Sequence, residues 1–348
     1  MKILVITQKI NKNDPILGFF HTWIEKLSQK FERVIVICLE RGEYQLPDNV
    51  EVLSFGKEKG KNKLKHLVLF FYFSLKNLFR YDAVFVHMNQ EYVLMGGLIW
   101  KIFGKKIYLW RNHKIGDIFT DIAAELCDKI FCTSPHSYTA KFKKTILMPV
   151  GIDTDKFYPF KNTEIRRQNS VLFLGRFDPV KRVDLFVNAL IILKNRGLDF
   201  EAKIYGDPTK GNEDYHKKLI AEIKNNFGAE VEILGGIPND LTPKIYNEHE
   251  IYVNLTRPGS FDKTILEAAA CGTIAIMTNH SFENDKFSEL ETRGYAEDVA
   301  DRIEYWLKAD ELVLSETRRL LQNFVKDNHS LQILINKLES CIKGKVSA

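Results

Sequence analysis

The stretch MPVGIDTDKFYPFKNTEIRRQNS, residues 148 to 170, decides how the chain is organised. It holds Pro149 and Pro159 among polar residues and shows neither strand alternation nor helical periodicity, so it reads as a linker. On its amino side short β-rich runs alternate with helical patterns: ILVIT, a helix through Trp23 and Leu27, VIVICL, VEVLSF, AVFVH, KIYLW and KIFCTS. On its carboxyl side the alternation resumes with SVLFLG, a helix from Val183 to Lys194, FEAKIYG, a helix around Leu219, VEILGG, EIYVNLT, a short helix and TIAIMT. Strands separated by crossover helices form a parallel sheet covered on both faces. The expected fold class is therefore α/β, with two Rossmann-like doubly wound domains, residues 1–155 and 165–325, and a helical segment, 326–348. Ligands of such sheets collect at the carboxyl ends of the strands, and two facing halves would enclose a cleft. Polar residues and glycines just after strands are the candidates: His87, Arg111 to His113, Gly175 to Lys181, Gly206, Gly235 and Gly236.

A length of 348 residues exceeds one ordinary core and suits two domains. With 45% hydrophobic and 27% charged residues the composition is globular, and a net charge of +5 is too weak by itself to imply nucleic acid. An anionic small molecule or a lipid surface is at least as good an expected partner. Cys38, Cys127, Cys132, Cys271 and Cys341 form no C-x-x-C pair, which suits reduced thiols and a cytoplasmic location. The opening MKILVITQKI has a strand pattern without a cleavage region, and the longest apolar runs fall short of the ~18 residues of a membrane span. The segment KNKLKHLVLFFYFSLKNLFR, residues 61–80, has two readings, a peripheral helix on an anionic membrane or a core helix with a solvated end. Its apolar run from Leu67 to Phe73 favours burial.

The chemistry concentrates in two stretches of the carboxyl half. In GSFDKTILEAAACG, residues 259–272, Ser260 and Asp262 are natural N-caps of a short helix, whose amino end suits an anion. Lys263 opposes the helix dipole there, which makes sense if something negative sits opposite. In FLGRFDPVKRVDLF a strand ends at Gly175, and Arg176 and Lys181 can converge above its end. A planar fork and a point charge together suit a diphosphate. A solvated basic helix start is the alternative, and the anion-attracting helix end in the same half favours the ligand. Asp153 to Asp155 spell D-T-D, but within a linker this reads as a turn, and no His, Cys or Asp cluster has metal-ligand spacing. A dinucleotide-binding dehydrogenase loses its main support because no G-x-G-x-x-G follows ILVITQ.

In their order and spacing, GRFDPVKRVDLFVNAL, GGIPNDLTPKIYNEHEIYVNLT and GSFDKTILEAAACGTIAIM resemble the carboxyl half of a retaining GT-B glycosyltransferase of glycosyltransferase family 4. PVGIDTDKFYP resembles the segment joining the halves in that family; the likeness covers residues 145–280 well and the amino half more loosely. It implies an acceptor-binding amino domain, a donor-binding carboxyl domain and a last helix packing back on the amino half. The implied activity is sugar transfer from a nucleoside-diphosphate sugar to an acceptor hydroxyl with retention, in cell-surface glycan or glycolipid synthesis. No cofactor or metal is implied; the partners are the nucleotide-sugar and a glycan or lipid-linked acceptor. By the same resemblance Arg176 and Lys181 neutralise the donor diphosphate, and Glu267 accepts hydrogen bonds from the ribose hydroxyls. Ser260, Phe261, Asp262, Lys263 and Thr264 line the donor, with Gly175, Gly206 and Gly236 nearby. His113 stands beside the donor sugar, and Gly18 lets the backbone approach the phosphates. The chain departs from the pattern twice: Phe19 follows Gly18 where a second glycine is usual, and Gly259 replaces a glutamate that contacts the transferred sugar. Either backbone amides and Asp262 substitute for that glutamate or Gly259 merely permits an unusual turn. A catalytically impaired nucleotide-sugar-binding homologue is thus the alternative function, and a phosphorylase or epimerase shares the architecture.

Overall fold

A computed structural model describes residues 1–345 except 15, 61, 162–164, 258–261, 279–281 and 283–284, and the side chains of 285 and 286. Two compact units emerge, Met1–Gly151 with Leu331–Ala348, and Ile152–Ser330. The division falls at the start of the linker, and the return falls at the junction of the last two helices.

The first unit is built on a parallel sheet of β1 (Lys2–Ile10), β2 (Arg33–Arg41), β3 (Val50–Ser54), β4 (Ala83–His87), β5 (Lys106–Trp110), β6 (Lys129–Cys132) and β7 (Thr145–Leu147), in the order β3-β2-β1-β4-β5-β6-β7. Successive residues of a strand point to opposite faces, so β1 feeds two cores. Ile3 and Val5 join Phe20, Trp23 and Leu27 of α1 (Gly18–Ser28) and Leu334 and Leu338 of α11 (Leu331–Ile342). Leu4 and Ile6 join Phe70 of α2 (Lys63–Lys76), Trp100 of α3 (Gln90–Ile102) and Ala123 of α4 (Ile118–Leu126). Burial on both sides explains why the central strands are apolar without interruption. β7, half-exposed and three residues long, escapes the sequence reading because it merges into the linker.

The expected burial of Leu67 to Phe73 holds on one side only, where Leu69, Phe71 and Phe73 pack partly buried against the core of Phe70. Within α2 only Phe70 and Ser74 are buried, while Leu67, Val68 and Tyr72 are exposed. Apolar residues encircle this helix, and those turned away from the sheet meet no further layer.

The second unit carries β8 (Ser170–Leu174), β9 (Glu201–Tyr205), β10 (Val231–Leu234), β11 (Ile251–Asn254) and β12 (Ile274–Met277), all parallel, in the order β10-β9-β8-β11-β12. α5 (Val183–Asn195) packs with α6 (Glu213–Asn226) and α9 (Ala296–Leu307). α8 (Lys263–Ala270) packs with α7 (Thr242–Glu248) and α10 (Glu311–His329), so the sheet is doubly wound. All five cysteines are buried and unpaired. No helix among the described residues is long and apolar enough to cross a membrane.

Candidate functional site

In the second unit the strand order reverses between β8 and β11, so a ligand crevice belongs at their carboxyl ends. Three polar side chains of β11 and the residues after it, Tyr252, Asn254 and Thr256, fall on one face by alternation. Asn254 and Thr256 meet Asp262, the N-cap of α8, Thr256 also meets Lys181, which follows β8, and the Tyr252 hydroxyl bonds the Thr264 hydroxyl at 2.8 Å. Lys181 Nζ donates to Asp262 Oδ2 at 2.5 Å and to Thr256 Oγ1 at 3.2 Å. Asn254 Nδ2 and Thr256 Oγ1 also donate to that carboxylate oxygen, at 2.9 and 3.2 Å. The second oxygen accepts from the Thr264 amide at 3.2 Å and from its hydroxyl at 2.7 Å. Burial alone would push the Asp262 carboxyl upward, but the Lys181 charge and these hydrogen bonds hold it well below the usual carboxylate range. An ammonium has three donors, so Lys181 keeps one for a ligand.

Arg176 is exposed at the end of β8 and forms no ion pair with a described residue. Gly175 and Gly206 bring two strand ends together: a Cβ on Gly206 would lie 1.9 Å from the Gly175 carbonyl oxygen, so only glycine fits. Gly236, after β10, lies against the Asp207 carboxylate.

Glu267, on α8, is 2% exposed. Lys263 Nζ pairs with its Oε1 at 3.0 Å, an ammonium at hydrogen-bond distance. Burial raises its carboxyl above the ordinary value, against the pull of Lys263. Lys156, held by Asn239 Oδ1 at 2.8 Å, adds a second positive charge near Glu267. A buried carboxylate flanked by cations, in the same unit as Lys181 and Arg176, keeps lone pairs with which to accept a ligand hydroxyl. Ser260, Phe261 and the turn at Gly259 lie outside the described residues.

His113 and Gly18 belong to the first unit. His113 is exposed on the loop after β5, with Nδ1 3.1 Å from the Ile115 amide. The buried Arg111 guanidinium donates to the Ile115 carbonyl at 2.8 Å, which fixes that loop. Gly18 opens α1, where a Cβ would stand 3.0 Å from the Lys12 carbonyl oxygen, so local packing already favours glycine. His21 accepts from the Gln45 amide at 3.1 Å, and His87 stacks on Phe20 at 3.8 Å and bonds Thr7. Both are engaged in packing and hydrogen bonds within the first unit. The D-T-D string is a turn in which Asp153 accepts from the Asp155 and Phe157 amides.

Residues 154–326 match the family model for glycosyl transferases group 1. The fold is GT-B, as in several solved glycosyltransferases. Anabaena HepE, solved in complex with UDP and glucose, aligns over 99% of this chain and 100% of its own with a TM-score of 0.76 at 17% identity. Sucrose-phosphate synthase from Thermosynechococcus elongatus aligns over 99% and 98% with a TM-score of 0.79 at 16% identity. In sequence, mannosylfructose-phosphate synthase of Agrobacterium fabrum is 27% identical over 175 residues, 44% of this chain and 38% of that protein. The UDP-N-acetylglucosamine–peptide N-acetylglucosaminyltransferase GtfA subunit of Streptococcus pneumoniae is 27% identical over 243 residues, 67% of this chain and 44% of its own length. The chain thus spans less than half the length of these two relatives.

Within residues 154–326, the sequence reading singled out Lys181, Asp262, Thr264 and Glu267, and missed Tyr252, Asn254, Thr256 and Lys156. The first three carried a usable signal, polar residues of one parity at the end of an otherwise apolar strand. Lys156 carried none, because its approach to Glu267 depends on how the linker folds back on its own unit.

Proposed function

We propose that the protein is a retaining glycosyltransferase that moves a sugar from a nucleoside-diphosphate sugar to an acceptor hydroxyl without a metal cofactor. The observation carrying this reading is the buried Glu267 carboxylate, paired with Lys263 and near Lys156, in the same domain as the Lys181 and Arg176 cations. Glu267 accepts from the ribose hydroxyls, while Arg176 and the remaining donor of Lys181 hold the diphosphate. As the sugar–phosphate bond breaks, charge grows on the leaving oxygen, so these cations stabilise the transition state more than the ground state. The leaving phosphate oxygen takes the acceptor proton, so no protein carboxylate acts as general base. His113 contributes to sugar binding, and the first unit takes a glycan or lipid-linked acceptor at the cytoplasmic side of a membrane, in cell-surface glycan synthesis. HepE's complex with UDP and glucose makes UDP-hexoses the first donors to try.

A thermal-shift panel of nucleoside diphosphates in EDTA tests the reading. Stabilisation by one of them, lost in Glu267→Ala, supports it; no stabilisation by any nucleotide or nucleotide-sugar overturns it. Gly259 in place of glutamate favours a second reading, an impaired nucleotide-sugar-binding homologue. Turnover of a stabilising nucleotide-sugar, with the anomeric configuration followed by NMR, separates the two.

A further inference from the structure

α2 turns an apolar stripe outward. Leu64, Val68, Tyr72 and Leu75 are spaced at four, four and three residues, which puts them on one side of the helix, away from the buried Phe70 and Ser74. The chain continues into Phe79, 84% exposed, whose ring meets that of Phe103 at 6.0 Å edge to face. Beside Phe103, at the end of α3, Ile102 is 79% exposed. Exposed apolar residues thus lie along α2, on the turn after it and, through the Phe79–Phe103 contact, at the end of α3, rather than scattered singly. Its charge is one-sided: α2 carries Lys63, Lys65 and Lys76 and no acidic residue. None of these lysines forms an ion pair with a described residue, and Lys76 Nζ lies over the Tyr72 ring at 5.4 Å.

We infer that this face is a docking surface for an anionic lipid bilayer, with the stripe entering the acyl boundary and the lysines meeting lipid phosphates. Charge complementarity selects the occupant. Lysines at both ends of an apolar stripe, without carboxylates, match a negatively charged interface, where apolar burial and cation attraction act together. A second copy of this chain would set those lysines against one another. The inference deepens the lipid-linked acceptor of the proposed function, but it stands on different residues and is measured separately.

The test is co-sedimentation of the full chain with vesicles of phosphatidylcholine alone and of phosphatidylcholine containing phosphatidylglycerol, with nucleotide thermal shift run on the same samples. Binding is expected to the anionic vesicles and to weaken with salt. Val68→Glu with Tyr72→Glu should lower the partition coefficient about tenfold or more through lost apolar burial. Lys63→Ala with Lys65→Ala should lower it about tenfold through lost lipid attraction. Circular dichroism and the nucleotide shift should stay at wild-type values in both variants. Equal partition of wild type and both variants overturns the inference, as does wild-type failure to bind anionic vesicles at low salt. A dimer in light scattering that the Val68/Tyr72 variant dissolves assigns the face to self-association and also overturns it. Loss of the nucleotide shift alone counts against the donor reading and leaves vesicle binding intact.

Discussion

Asp262→Ala removes the acceptor on which the second unit's cationic strand end is organised. The substitution deletes five hydrogen bonds, from Lys181, Asn254, Thr256 and both the amide and hydroxyl of Thr264. It also uncaps α8, and it leaves the Lys181 ammonium without its counter-charge. Breaking one partner of a buried ion pair costs about 3–5 kcal/mol. The Lys181 side chain is 22% exposed and can recover part of its hydration, which places the cost at the lower end, about 3 kcal/mol. For a unit of this size that lowers the melting temperature by about 6–12 °C. The assay is thermal unfolding of wild type and Asp262→Ala from pH 7 down to pH 3. Because the folded Asp262 carboxyl is depressed below its unfolded value, its stabilisation is complete above about pH 4 and is lost as pH falls through the folded value. The gap between the two proteins should therefore be constant near neutrality and narrow only in acid. A melting temperature within about 2 °C of wild type at pH 7 would refute the reasoning.

Lys181→Ala should lower sugar transfer by about ten- to a thousand-fold, the scale of one lost electrostatic donor; wild-type turnover in that variant refutes its role. Glu267→Gln should raise the melting temperature of the ligand-free protein at pH 7.5 while shrinking the nucleotide-induced shift. The sign follows from a carboxyl raised by burial, which destabilises the fold at pH above its folded value and loses that penalty when neutral. A lower melting temperature would show that the Lys263 pair outweighs the burial. Gly206→Ala should destabilise the second unit by about 3 kcal/mol, since its Cβ would meet the rigid Gly175 carbonyl; an unchanged denaturant midpoint would contradict the close approach.

The doubly wound sheets were legible because each strand is buried on both faces, so its apolar run stands out from the helices around it. ILVIT, VIVICL and AVFVH are the cores of β1, β2 and β4. The orientation of α2 was not legible: Leu67 to Phe73 are apolar all round, and periodicity cannot say which side meets the sheet when every side would be welcome there. The same holds at the site. Charged residues near strand ends announced Lys181 and Asp262 one at a time. Their pairing joins positions 81 residues apart, and only the adjacency of β8 and β11 makes it.

That pairing bears on the missing glutamate at position 259. A carboxylate offers about four lone-pair positions, and Asp262 already receives five donors. To accept from a sugar hydroxyl it would have to release one of them and unbalance Lys181. Its cheaper role is to hold the ammonium still while the remaining donor faces the diphosphate. The two roles separate in Asp262→Asn, which keeps the shape and removes the charge. If Asp262 positions Lys181, losing its charge changes the affinities for a nucleoside diphosphate and for the matching nucleotide-sugar by the same factor, because both carry the diphosphate. If Asp262 replaces the glutamate, the nucleotide-sugar loses the contact and the bare diphosphate does not. Calorimetric titration of both ligands into both proteins measures the ratio. The saturated carboxylate leads us to expect an unchanged ratio, and a selective loss of about tenfold or more for the nucleotide-sugar, the scale of one charged hydrogen bond, would hand sugar recognition to Asp262.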